Sequence, residues 1–241
     1  MTTAAAAMGV TWKAPRRGKA HSKAVAQGKL VETANDLCMP DFMSKYAPSA
    51  GPLPGDSEER SKYTDASNIS QQELEACLDL IEHTSADDYA NSELGWSRAE
   101  KRKEMALPDM KFVLLLSDPQ PGTSNLSSTE GGGETVFGFI SFMITYEDGQ
   151  EVVYIYEVHL QQAMQGKGYG RRLIEYVEAI GESVGVGKAM LTVFRSNQRA
   201  LHVYERLGYE EDEFSPQPRK LRNGTVKQPS YVILSKTLKV E

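Results

Sequence analysis

The chain has 241 residues, of which 40% are hydrophobic and 25% charged, and a formal net charge of −6. This predicts one large domain, or one domain with extensions, able to bury a core unaided. The longest uncharged apolar run, Val136 to Thr145, is about half a bilayer span, and Cys38 and Cys77 lie far apart; an integral helical membrane protein, a disulfide scaffold and a cysteine zinc site are all excluded.

Residues 1–31 hold six basic side chains (Lys13, Arg16, Arg17, Lys19, Lys23, Lys29) and no acid, while the other 210 residues carry 21 basic and 33 acidic groups. Met1 to about Gly18 reads as a disordered basic arm. No apolar core follows its charges, so it is not a secretory signal; a transit peptide is the alternative. From Lys19 to Met39, Ala20, Val25, Leu30, Ala34 and Leu37 have helical spacing. Residues 47–59 form a Pro- and Gly-rich linker, and a folded domain is expected over 60–241. Ser70–Glu73 is a capping box ahead of Leu74, Cys77, Leu78 and Ile81, and Ser97–Glu100 is a second one, opening a short charged helix.

Lys111–Ser117 reads as a buried strand and 118–134 as a mobile low-complexity loop. Thr135–Tyr146 and Glu151–Leu160 read as two strands around the turn Glu147–Gly149. A glycine-rich turn, Gln165–Gly170, leads into a helix with Leu173, Ile174, Val177, Ile180 and Val184 inward. A strand (188–194), a helix (197–207) ended by Gly208 and a last strand pair (209–215 and 230–236) follow. The alternation predicts a mixed α/β class.

The turn Gln165, Gly166, Lys167, Gly168, Tyr169, Gly170 can bring backbone close to a ligand. The helix start beyond it offers unpaired amides and a partial positive charge, and Lys167, Arg171 and Arg172 add cations, which together suit a pyrophosphate. Neither a dinucleotide fingerprint nor a phosphate-loop motif is present, and an ordinary strand-to-helix turn explains these residues equally well by themselves. Tyr154 and Tyr156 share one strand face, and strict alternation puts Glu157 opposite, so only a β-bulge would bring it round to them.

Tyr156–Leu160, Gln165–Gly170, Leu191–Asn197 and Tyr204–Tyr209, in this order, resemble the GNAT superfamily of N-acetyltransferases. The resemblance implies a central twisted mixed sheet flanked by helices, here with an N-terminal helical extension, and acetyl-CoA as donor. It places the pyrophosphate on Gln165–Gly170 and Arg171. Pantetheine would lie along Val158, His159 and Leu160 and reach Asn197, with Tyr204 near the sulfur; His159 by itself reads as a structural residue. Within the superfamily, Glu93–Trp96, Glu100–Met105, Tyr154–Val158 and Met190–Phe194 resemble the N-terminal acetyltransferase D family, which acetylates the α-amine of two histones beginning Ser-Gly-Arg-Gly and acts without an auxiliary subunit. Leu94 departs from that family, which has an aromatic there.

This resemblance implies Glu157 as general base, helped by Tyr156, with Tyr204 as acid; Tyr89, Trp96, Glu147, Tyr154, Tyr156 and Glu157 would contact the peptide. Seven acids and no Lys or Arg lie between Phe112 and Gly166, and Glu210–Glu213 adds a second acidic run. Both runs are expected to rim the acceptor cleft and draw in a basic peptide. No metal, membrane or sequence-specific nucleic acid is expected. The basic arm could contact the ribosome, and a cytoplasmic and nuclear location fits. Lysine or polyamine acetylation, or acyl-CoA binding without catalysis, are the alternatives.

Overall fold

The computed structural model describes residues 29–53, 60–117 and 135–239; the basic arm up to residue 28 and the loop 118–134 lie outside these. Seven strands form one sheet: β1 (Arg60–Asp65), β2 (Lys111–Ser117), β3 (Thr135–Glu147), β4 (Gln150–Leu160), β5 (Lys188–Phe194), β6 (Glu210–Glu211) and β9 (Tyr231–Thr237). Their order is β1-β2-β3-β4-β5-β9-β6, and only β4 and β5 run parallel. A separate exposed hairpin pairs β7 (Arg219–Lys220) with β8 (Val226–Lys227).

The β3–β4 connection is a tight hairpin because Asp148 and Gly149 both accept positive φ, 47° and 81°. This matches the two-residue turn that follows strand twist. Helix α3 (Gln71–Ala90) begins at the complete Ser70/Glu73 capping box. At α4 (Arg98–Met105) only half of the expected box forms: Ser97 accepts from the Glu100 amide. Helix α5 (Tyr169–Val184) buries Leu173, Ile174, Val177, Ile180 and Val184 as their spacing predicts. It sits unusually close to the sheet, because a Cβ on Gly181 would come within 2.7 Å of Val153. Asn197 caps α6 (Gln198–Arg206) by accepting from the Ala200 amide.

Two expectations are corrected. Residues 19–28 of the helix expected over 19–39 lie outside the described residues; the described part holds only α1 (Leu30–Asn35), and a second short helix, α2 (Met39–Tyr46), begins at the end of that span. Pro40 in the first turn of α2 lacks the amide needed to continue a helix through it. These two helices share a core with the sheet: Val31, Ala34, Met39, Phe42 and Tyr46 pack with β3, β4 and α5. The expected strand 209–215 shortens to Glu210–Glu211, and the chain then leaves the sheet for the β7–β8 hairpin.

The sheet divides the core into two apolar layers. One lies under α1, α2, α5 and α6 and includes Val153, Ile155, Val158 and Leu160 of β4. The other lies under α3 and α4 and includes Val152, Tyr154 and Tyr156 of the same strand.

Candidate active site

Strand β4 pairs with β5 only over Val153↔Ala189, Tyr154↔Met190 and Ile155↔Leu191. Beyond Ile155 the two strands part, so the edge of β4 from Tyr156 to Leu160 is open toward β5. At the same point the register with β3 slips: Phe142 faces Ile155, and Ser141 faces Glu157. Tyr156 is therefore the extra residue of a β-bulge. The bulge turns Glu157 onto the face that already carries Tyr154 and Tyr156, whose rings lie 5.1 Å apart. The same slip turns Val158 and Leu160 onto the opposite face, with Val153 and Ile155.

Glu157 is fully buried. Its Oε1 accepts from Lys101 Nζ at 2.8 Å and Tyr89 Oη at 3.0 Å, and its Oε2 lies 2.6 Å from His159 Nε2. Burial alone would raise its pKa; the Lys101 ammonium and the His159 hydrogen bond outweigh that and hold it below the usual carboxylate range. Lys101, itself buried on α4, also meets Glu104 at 3.0 Å. Burial would lower its pKa, but the two carboxylates raise it well above the ordinary lysine value. Burial pushes the Glu104 carboxyl up, against the pull of Lys101. His159 is depressed by burial and is therefore neutral at neutral pH. The resting group is a carboxylate, an ammonium and a neutral imidazole.

The glycine-rich turn fits a diphosphate. Gly166 and Gly168 hold φ of 78° and 89°, in the left-handed region. No atom stands within 4 Å of where a Gly168 Cβ would be, and only Arg199 Nη2 at 3.8 Å approaches that of Gly166. This turn leads directly into the N-terminus of α5, whose partial positive charge favours an anion. The Lys167, Arg171 and Arg172 side chains are exposed beside it. Next to the turn lies a cleft of about 570 Å³ lined by Thr84, Gln165, Asn197 and Arg199, among others. Gln165 spans it, donating to Leu160 O and accepting from Arg199.

The remaining sequence-predicted residues scatter around this centre. Tyr89, expected to contact the peptide, is buried: its ring packs on Trp96 and Phe194, and its hydroxyl donates to Glu157. Trp96 is half-buried, with Nε1 3.4 Å from Glu82. Tyr154 is buried with its hydroxyl 2.6 Å from Thr192. Tyr169 is buried against Phe137 and Gly170 is buried beside it, so these two support the turn. Tyr204 is buried in the layer on the far side of the sheet from Glu157, edge-on to Tyr209. Leu94 packs, half-buried, on the layer under α3 and α4.

Of the acids expected to rim the cleft, Asp118, Glu130 and Glu134 lie outside the described residues, Asp148, Glu210, Glu211 and Glu213 are exposed, and the other four are placed individually. Glu157 and Asp212 are sealed, with Asp212 paired to Lys188 at 2.6 Å. Glu151 caps α1 by accepting from the Leu30 and Val31 amides. Glu147 does stay on the tyrosine face, where burial and then Asp148 push its carboxyl up to about 7. The residues that sequence reasoning missed are Lys101, Glu104 and Thr84. A helical stripe that places Lys101 with the buried Met105 is the signal that points to the first of them.

A model of the Acetyltransferase (GNAT) family matches residues 86–209. N-alpha-acetyltransferase 40 of Saccharomyces cerevisiae is 31% identical over 61% of this chain and 55% of its own length. An uncharacterized N-acetyltransferase of Bacillus subtilis, YycN, is 30% identical over 32% of this chain and 50% of its own. The chain thus spans about half the length of these curated relatives. An acetyltransferase from Streptococcus agalactiae, 15% identical, shares the fold with a TM-score of 0.51 over 75% of this chain and 99% of that structure. With half of its length matched by that family model and a diphosphate cradle beside the parting strands, the chain belongs to the Acetyltransferase (GNAT) family, which uses acetyl-CoA.

Proposed function

We propose that this chain is an N-alpha-acetyltransferase that moves the acetyl group of acetyl-CoA to the free α-amine of a protein N-terminus, with the Ser-Gly-Arg-Gly start of histones as substrate. The observation that carries this is the bulge at Tyr156, which gathers Tyr154, Tyr156 and Glu157 on one face where β4 parts from β5. The similarity to a yeast N-alpha-acetyltransferase supports the acceptor class.

The energetics suit an α-amine. Its reference pKa is about 7.7–8.0, so removing its proton at neutral pH costs roughly 1 kcal/mol, against roughly 4 for a lysine. A weak base is sufficient for the first. Glu157, held as a carboxylate by Lys101, is that base in this reading. Tyr154 and Tyr156 remain protonated phenols, because burial raises both, and so they can orient the amine. Glu147 on the same face offers a second carboxyl for the peptide. Gln165–Gly170 and the start of α5 hold the diphosphate, and Val158–Leu160 offers backbone to the pantetheine. Bound acetyl-CoA supplies the activated acyl carbon. Tyr204 is assigned as the acid for the leaving sulfur. The basic arm is assigned to ribosome contact, and the enzyme to cytoplasm and nucleus.

The test is mass spectrometry of peptides incubated with enzyme and acetyl-CoA. A free Ser-Gly-Arg-Gly peptide should gain one acetyl group at its amine, and the same peptide with a blocked amine should gain none. Acetylation of lysines in the blocked peptide would overturn the assignment.

A further inference from the structure

Glu157 poses a problem for the function just proposed: it has no exposed surface, so a proton lost in the cleft needs a route to it. The neighbouring hydrogen bonds supply one. His159 Nε2 lies 2.6 Å from Glu157 Oε2, and His159 Nδ1 lies 2.6 Å from Thr84 Oγ1. Thr84 lines the cleft, alongside His83, Asp88 and Gln165. We propose that Thr84 and His159 form a proton relay joining that cleft to Glu157, so that a proton accepted at the Thr84 hydroxyl is passed on to the buried carboxylate. This rests on the reading of Glu157 as the base.

The argument lies in the Thr84 hydroxyl. Its oxygen is 2.6 Å from Leu80 O and also 2.6 Å from His159 Nδ1. One hydroxyl proton serves only one of these at a time. When Thr84 donates to Nδ1, the imidazole proton sits on Nε2 and points at the Glu157 carboxylate. When Thr84 donates to Leu80 O, Nδ1 must carry the proton and donate to Thr84. Nε2 is then bare, opposite Oε2, and the contact is a hydrogen bond only if Glu157 is protonated. The two arrangements differ by one proton. Going inward, an arriving proton bonds to Thr84 Oγ1 while the hydroxyl's own proton moves to Nδ1. The Nε2 proton moves to Oε2 in the same shift. The outward path is the reverse, and only O–H and N–H bonds are made or broken.

The surrounding groups favour transfer over storage. Burial disfavours an imidazolium at His159 and outweighs the pull of Glu157, and the Lys101 ammonium of α4 adds to it, so His159 passes a proton without holding one. Tyr89 of α3 and Glu104 of α4 also face this carboxylate and ammonium pair, and the Phe139 ring of β3 stacks on His159 at 5.5 Å.

Nitrogen-15 NMR of the full chain, without ligand, reads the relay directly. In the parent, His159 should carry its proton on Nε2. In Glu157→Gln the amide oxygen must face Lys101 and Tyr89, both donors, so the amide NH2 faces Nε2 and should switch His159 to the Nδ1 tautomer. An unchanged tautomer overturns the relay. In kinetics, Thr84→Val should lower kcat about 100-fold, the usual scale for losing a proton-transfer group, with the KM for acetyl-CoA unmoved. Thr84→Ser should restore it. Parental turnover in Thr84→Val, with Glu157→Gln inactive, overturns the relay and leaves the base standing. Parental turnover in Glu157→Gln removes the base itself.

Discussion

The two faces of the sheet are built on different principles. The face under α1, α2, α5 and α6 is closed by hydrocarbon: Leu173, Ile174, Val177 and Ile180 pack on Val153, Ile155 and Val158. Its buried charges stay at the rim and are paired locally, Lys111 with Asn35 and Glu178 with Lys236. The face under α3 and α4 instead buries a connected polar line from Glu104 through Lys101, Glu157 and His159 to Thr84. One face holds the fold together, and the other spends part of its packing on keeping charges where water cannot reach them. A buried ion pair adds little net stability over a well-packed apolar pair, so its presence points to chemistry.

That contrast can be broken by substitution. Glu157→Gln should cause the largest loss, at least about 100-fold in kcat, with coenzyme A binding retained in calorimetry. Lys101→Met leaves Glu157 and Glu104 without their cation and should destabilise the fold by about 3–5 kcal/mol. The sign of its pH dependence is specific. In the parent, the depressed Glu157 stabilises above the unfolded carboxyl pKa, and this is lost as pH falls through the folded value. In the variant the carboxyl is raised, so stability should instead fall as pH rises; urea melts at acid and alkaline pH measure this. Ile174→Ala on the other face should destabilise by about 2–5 kcal/mol, a similar amount, and leave the pH profile of turnover where it was. If both variants move that profile alike, the two faces do not differ as argued.

Smaller effects sharpen the picture. Gly168→Val places a branched side chain at a φ of 89° and should weaken coenzyme A binding in calorimetry while the melting point falls by only a few degrees. Tyr154→Phe removes the hydroxyl contact to Thr192 and should destabilise by about 1 kcal/mol in denaturant melts. Glu147, raised to about 7, stabilises the fold while protonated and loses that contribution as pH rises through 7. Glu147→Gln should therefore flatten the thermal stability profile between about pH 4.5 and 7.

Much of the fold was legible because local patterns agreed with it. The spacing in α5, the Asp148-Gly149 turn and the Ser70 capping box each have one dominant physical solution. Strand β1 (Arg60–Asp65) was not legible: it is an edge strand whose polar residues alternate weakly with Tyr63 and Thr64. The split between α1 and α2 was obscured because apolar spacing runs across it. In the site, the glycine-rich turn and the strand-face pairing of Tyr154 with Tyr156 could be read in the residues. Thr84 could not, since it sits in a helix where its residue type is unremarkable, and Lys101 was marked only by the helical stripe it shares with Met105.

The sequence by itself determined the alternation of strands and helices, the glycine turn and the tyrosine pair, because each depends on neighbours within a few residues. Only the tertiary structure decided that Tyr156 bulges, that Glu157 therefore turns to the α3–α4 face, and that Lys101 and His159 meet it there. Register between strands and the docking of a helix on a sheet are set by contacts between residues far apart in the chain. A carboxylate's charge, in turn, depends on which cation those contacts bring within about 3 Å of it.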